Sequence, residues 1–193
     1  MELQDVRCWL SLGAIRRQIL EAITQPLTAK QISKRTKVRE KYVCRALHEL
    51  RVYELVQCLN PIAHKSRVYW LTSTGLQMRG ELGYKPTQEE IQQLPEVDWS
   101  LYGTVCFTHR SAVLKAMDGM MQPSQIKRRA RFQNPELKMS ANNARDIVME
   151  FEKAGIVNRV HVRGAAHARF ELTRIGKMMQ ELLFKAEDVT CLS

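Results

Sequence analysis

The sequence predicts a mainly α-helical fold with small β-hairpins, an α+β class made of two tandem copies of one domain. Three observations carry this. Long blocks of the chain match each other without gaps at two fixed offsets. Within each block, apolar residues recur first at helical spacing and then in short strand-like runs. The 193 residues, 45% of them apolar, suffice for one ordinary core or two small ones.

At an offset of 94, Arg16, Leu20, Ala22, Gln31, Ile32 and Arg35 meet the identical residues Arg110, Leu114, Ala116, Gln125, Ile126 and Arg129. At an offset of 101, Glu49, Val56, Leu71, Thr72, Gly75 and Met78 meet Glu150, Val157, Leu172, Thr173, Gly176 and Met179. The step between the offsets assigns seven extra residues, Gln133 to Met139, to the second copy. They contain Asn134-Pro135, a turn signal, so the insertion lengthens a loop and leaves its flanking helices intact.

In the first copy, Ile15, Ile19, Leu20 and Ile23 lie at helical spacing, and Pro26 ends that helix. Thr28 is suited to cap a short second helix. Val43, Ala46, Leu47 and Leu50 mark the buried stripe of a third, from about Arg39 to Val52. Leu55 to Leu59 and Arg67 to Thr72 then read as strands joined by the tip Asn60 to Ser66. The second copy follows the same order, with helices near 108–118, 122–131 and 140–153, strands near 156–162 and 168–173, and a tip at Arg163-Gly164-Ala165-Ala166-His167. Three helices followed by a hairpin is a winged-helix arrangement. The reading is therefore two tandem winged-helix domains related by internal duplication, at 1–84 and 100–193, with a linker at 85–99.

The string Val68-Tyr69-Trp70-Leu71-Thr72-Ser73-Thr74-Gly75 and its counterpart Arg169-Phe170-Glu171-Leu172-Thr173-Arg174-Ile175-Gly176 sharpen this. An aromatic residue followed by Leu-Thr-x-x-Gly at the start of a new helix resembles the end of the wing in winged-helix transcription regulators, such as the multiple-antibiotic-resistance and arsenical-resistance repressor families. The likeness covers both copies, about four fifths of the chain. It implies double-stranded DNA as partner.

Charge agrees with that implication. Thirty Lys and Arg face twenty Asp and Glu, a net charge of +10. Residues 1–84 hold 14 basic and 7 acidic groups, 85–99 hold 1 and 4, and 100–193 hold 15 and 9. Two basic bodies thus flank an acidic connector, and basic surfaces attract polyanions by steering and counterion release. The five cysteines (Cys8, Cys44, Cys58, Cys106, Cys191) are odd in number, scattered, and form no C-x-x-C pair. That pattern argues against a disulfide framework or a zinc knuckle. With no signal-peptide pattern at its start and no apolar run of spanning length, the chain reads as cytoplasmic and nucleoid-associated, with no membrane partner.

In a helix-turn-helix, the outward residues at the start of the second helix meet base edges. In the first copy these are Arg39, Lys41, Tyr42 and Arg45, because the buried stripe claims Val43, Ala46 and Leu47. Arginine suits guanine O6 and N7 as a bidentate donor. The second copy presents Ser140, Asn142, Asn143 and Asp146 instead, with Arg145 alongside. Asparagine pairs with adenine, whereas Asp146 repels phosphate, so this copy reads a different half-site or serves as a partner surface. Lys30, Lys34 and Lys37 in the first copy, and Lys127, Arg128, Arg129 and Arg131 in the second, read as phosphate clamps. The wings add His64, Lys65 and Arg67, and Arg163, His167 and Arg169. Each of these cations also fits a plain solvated face.

Two further expectations concern packing. If Tyr69 faces the core, strand alternation turns Trp70 outward, where it would pack on the linker, the N-terminal helix or a second subunit. Apolar stripes at both ends (Leu3, Val6, Trp9 and Leu10; Ile175, Met178, Met179, Leu182 and Leu183) suit either a homodimer through terminal helices or lids over the two cores.

No glycine-rich phosphate loop, nucleophile elbow or metalloprotease spacing is present, so the chain is read as a non-enzyme without a cofactor. Cys44 with His48, joined by Cys58 and His64, is the best metal candidate, and the absence of an equivalent pair in the second copy argues against it. The expected function is sequence-specific binding of double-stranded DNA, most simply by a transcriptional regulator that reads bases with helix 39–52. A plasmid replication or segregation protein, or a protein-interaction scaffold without DNA binding, stands as the alternative.

Overall fold

The computed structural model describes residues 8–10, 13–84, 94–161, 163 and 167–187. Leu3, Val6, residues 85–93 of the linker, the tip residues Gly164, Ala165 and Ala166, and Cys191 lie outside them. The chain is mainly helical with small antiparallel sheets. It divides into two compact units, Met1–Gly103 with Lys185–Ser193, and Thr104–Phe184.

The first unit begins with α1 (Ala14–Ala22), which buries Ile19 and Leu20 and stops short of Pro26. A two-residue strand β1 (Leu27–Thr28) leads into α2 (Ala29–Thr36). Thr28 caps α2 reciprocally: its hydroxyl accepts from Gln31 N at 3.3 Å while its own N–H donates to Gln31 Oε1 at 2.8 Å. α3 (Glu40–Val52) has Arg39 as its N-cap and buries Val43, Ala46, Leu47 and Leu50, the stripe expected for it. β2 (Val56–Cys58), β3 (Val68–Leu71) and α4 (Ser73–Glu81) follow. The sheet order is β1-β3-β2, all antiparallel. The sequence reading had no place for β1, since two residues carry no periodicity.

Trp70 corrects one expectation. It is 7% exposed and belongs to the core of this unit, with Leu10, Leu50, Val56 and Leu71. Strand alternation turns Trp70 outward only if one face of the hairpin is wet, and β3 buries Val68, Trp70 and Leu71 and half-buries Tyr69, so both of its faces are covered. A strand covered on both faces reads as a continuous apolar run.

α5 (Trp99–Val105) precedes the helices of the second unit, which are α6 (Thr108–Ala116), α7 (Pro123–Gln133) and α8 (Ala141–Lys153). β4 (Val157–Val160) and β5 (Arg169–Leu172) then form a two-stranded sheet, followed by α9 (Arg174–Glu187). Ser140 caps α8, its hydroxyl accepting from Asn143 N at 3.0 Å. In the inserted stretch Leu137 and Met139 are buried, so the insertion adds to the core as well as to the loop. Met179, Leu182 and Leu183 of the terminal stripe are buried, whereas Ile175 and Phe184 are exposed.

Local contacts recur at the two offsets. Arg16 pairs with Glu49 and Arg110 with Glu150, each at 2.6 Å. Arg79 donates to the carbonyl of Ile23, and Gln180 to that of Met117. Leu27 pairs with Tyr69 across the sheet, and Met121 bridges to Phe170. Glu54 and Gly155 both take positive φ, 53° and 70°. Gly75 approaches the Leu55 carbonyl so closely that a Cβ would stand 2.0 Å from its oxygen, and at Gly176 the same construction gives 2.1 Å to the Ile156 oxygen.

Candidate nucleic-acid interface

α3 ends its buried stripe on one side and leaves Arg39, Lys41, Tyr42 and Arg45 exposed on the other. Arg39, as N-cap, makes no side-chain capping bond. The ammonium of Lys41 sits 4.8 Å from the centroid of the Tyr42 ring. Arg45 is held at its base: Nε donates to Glu49 Oε1 at 3.1 Å, and Glu49 Oε2 accepts from Arg16 Nε at 2.6 Å. Arg16 itself donates to the Trp9 carbonyl and lies 4.2 Å over the Trp9 ring. The hydrogen bond from Arg16, aided by Arg45, holds the Glu49 carboxyl below the usual carboxylate range against the opposing effect of burial. A groove of ≈ 490 Å³ between α1 and α3 is lined by Ile15, Arg16, Tyr42, Arg45 and Glu49.

Lys30 and Lys34 are exposed on α2, and Lys37 ends that helix in the left-handed region at φ 58°. Lys34, Lys37, Arg39 and Lys41 have no carboxylate partner among the described residues, which leaves their charge uncompensated. On the β2–β3 hairpin, His64 and Lys65 are exposed, and Arg67 is exposed while its Nε donates to the Ala63 carbonyl at 2.8 Å.

The hairpin itself is stapled. Asn60, 2% exposed, accepts from Val68 N through Oδ1 at 2.7 Å and donates through Nδ2 to the carbonyls of Ser66 and Trp99, each at 3.3 Å. A buried amide with its bonds made is a rigid element.

The second unit brings its candidates together differently. Asn142, Asn143, Arg145 and Asp146 are exposed at the start of α8. Asn142 and Arg145 share a groove of ≈ 550 Å³ with Ser124 of α7 and with His167, Arg159 and Phe170 of the β4–β5 hairpin. Arg159 is neutralised there by Glu152, with two contacts at 2.9 Å, and lies 5.4 Å from the Phe170 ring centroid. Arg145 and His167 have no such partner among the described residues. Of the expected clamps on α7, Arg128 and Arg131 are exposed, Lys127 is half-buried, and Arg129 is paired with Asp118 at 2.8 Å. Arg163 is exposed, and Arg169 is half-buried with a buried Nε that lacks a partner among the described residues.

Cys44 and His48 are exposed on α3 and Cys58 is half-buried. Burial, and then the Glu40 carboxylate, push the Cys44 thiol upward, away from thiolate reactivity. Among the described residues no three His, Cys, Asp or Glu side chains are grouped to hold a metal ion. No described helix is long and apolar enough to cross a membrane.

Sequence reasoning missed Glu49, Asn60 and Arg159 as parts of these surfaces. The first was within reach, because Arg16 and Glu49 recur as Arg110 and Glu150 with opposite charge, and Arg45 lies one turn before Glu49. Asn60 carried no signal beyond its place in a turn. No protein-family model, curated protein or solved structure matches the chain.

Proposed function

We propose that the chain is a pair of tandem winged-helix domains, related by internal duplication, that bind double-stranded DNA in a sequence-specific manner, most simply as a transcriptional regulator. Capping bonds (Thr72 accepting from Gly75 N, Thr173 from Gly176 N), ion pairs, close glycine contacts and strand pairings recur in both units and support the duplicated fold. The observation that carries the DNA reading is the start of α3: Arg39, Lys41 and Arg45 are all exposed there, Lys34 and Lys37 are exposed on the segment just before it, and four of these five cations have no carboxylate partner among the described residues. A helix N-terminus of this size and charge fits a major groove, where arginine reads guanine and lysine holds phosphate. The role is one of binding without catalysis, in a cytoplasmic, nucleoid-associated protein, as a monomer or as a homodimer through its terminal helices.

A second reading applies to the second unit alone. The place of Arg45 is taken there by Asp146, exposed and one turn before Glu150. With Glu150 held by Arg110, the exposed carboxylate of Asp146 repels phosphate and suits a protein partner, which is the scaffold alternative confined to one domain.

The decisive experiment is retention of random-sequence duplex DNA across a salt series, followed by sequencing of what is retained. Tight binding that weakens steeply with salt and yields a consensus of one or two half-sites is the expected result. No retention at low salt overturns the proposal.

A further inference from the structure

The apex of the first wing carries an apolar side chain where a solvated loop has none to offer. Ala63 N donates to the Asn60 carbonyl at 3.0 Å, closing a turn with Pro61 and Ile62 at its corner. Pro61 fixes its own φ, so the corner is stiff. Ile62, at that corner, is 90% exposed. The turn rests on a built foundation. Asn60 ties both limbs of the hairpin through Val68 N and the Ser66 carbonyl, and reaches the Trp99 carbonyl behind them. Ser66 is held at φ 51°, a left-handed conformation that a non-glycine residue keeps only where its surroundings fix it. Gly103 lies so close behind that a Cβ would stand 2.6 Å from the Ser66 oxygen. His64, Lys65 and Arg67, all exposed, follow in the same loop and add donors and positive charge.

A branched apolar side chain fixed at the point of a rigid basic hairpin has the form of a wedge. Proteins that enter the minor groove insert Ile, Leu, Met, Phe or Pro between base steps while flanking cations hold the backbone. We propose that Ile62, presented by Pro61 and braced by Asn60, inserts into the minor groove beside the α3 contact and bends the duplex there. Specificity then includes the ease of unstacking a step that α3 never touches, with flexible pyrimidine–purine steps preferred. This inference rests on the DNA-binding reading above. The second unit has the exposed His161 in the place of Asn60, so the brace belongs to the first wing.

The test uses the full chain and a duplex recovered from the random-sequence selection, with donor and acceptor dyes at its two ends. Energy transfer reports the bend, and titration of the same duplex reports affinity. Wild type is expected to bend the DNA within the range of ~20–90° that wedges produce. Ile62→Ala loses most of that bend, Ile62→Met keeps it, and Lys65→Ala weakens binding while leaving the bend in place. Because Ile62 is solvent-exposed, the variant is expected to melt as wild type does, and that is measured alongside. A duplex bound without bending, or bent equally by Ile62→Ala, overturns the wedge and leaves the DNA reading standing. An Ile62→Ala protein that bends DNA normally but changes its sedimentation assigns the apex to a protein contact and also overturns it. If wild type retains no duplex, the functional reading fails and the wedge with it.

Discussion

Arg16 and Glu49, 33 residues apart, meet at 2.6 Å, and through that contact the first helix fixes the root of the arginine that leads the α3 face. Glu49 serves both arginines at once, one per oxygen. Its counterpart Glu150 binds Arg110 through Oε2, and Asp146 stands where a second arginine would.

The shared carboxylate gives a pH signature. Glu49 is held lower in the folded chain than unfolded, so the pair adds stability above about pH 4.3, the unfolded glutamate value, and loses it as pH falls through the folded value. Both partners are partly exposed, which limits the contribution to about 1 kcal/mol or less. Urea unfolding of wild type and Glu49→Gln is expected to differ by that amount near neutral pH and to converge in acid. A difference unchanged down to about pH 3 refutes the assignment.

Charge reversal on α3 separates the two functional readings. The triple change Arg39→Glu, Lys41→Glu and Arg45→Glu is expected to abolish retention of duplex DNA without a large change in melting temperature, since all three side chains are exposed. Single changes at Lys34 or Lys37 are expected to weaken binding across all sequences and lower the salt slope by about 1 each. Full retention by the triple variant assigns α3 to another partner.

Two glycines in one helix are predicted to respond with opposite sign. Gly75→Ala forces a methyl against the Leu55 carbonyl and is expected to cost about 1–3 kcal/mol. Gly80, later in α4, has nothing within 4 Å of its Cβ position, and Gly80→Ala is expected to stabilise by about 0.5–1 kcal/mol. Gly176→Ala repeats the penalty in the second unit, against the Ile156 carbonyl. Thermal denaturation of the three variants checks all of this, and equal effects at Gly75 and Gly80 would contradict it.

In the second unit, Asn142→Ala and Arg145→Ala are expected to relax base preference over one half of the selected consensus while the half read by α3 stays sharp. Repeating the selection with each variant is the measurement. An unchanged consensus makes the second unit a partner surface, as Asp146 suggests.

The helices and hairpins were legible because their signals are local: the stripe Val43, Ala46, Leu47 and Leu50 has helical period, and the repeat doubled every such signal. Gly75 and Gly176 stood out as identities at one offset, and the reason appears only in space, where each abuts a carbonyl twenty residues back. Trp70 was misread because the second face of β3 is covered too, by a core that draws in residues distant along the chain such as Leu10. The exposed face of α3 followed from its buried one. What braces it, Glu49 and Arg16, is a tertiary pairing that only the recurrence in the second copy hinted at.

The amide of Asn60 has a thermodynamic consequence. A hairpin whose tip is already ordered has settled its conformational entropy during folding, so little ordering is left for the moment of capture. Calorimetry of whatever this hairpin meets should then record a heat-capacity change set by dehydrated surface alone, without the larger component that accompanies coupled folding. A partner that meets this hairpin is therefore expected to supply whatever deformation the contact needs.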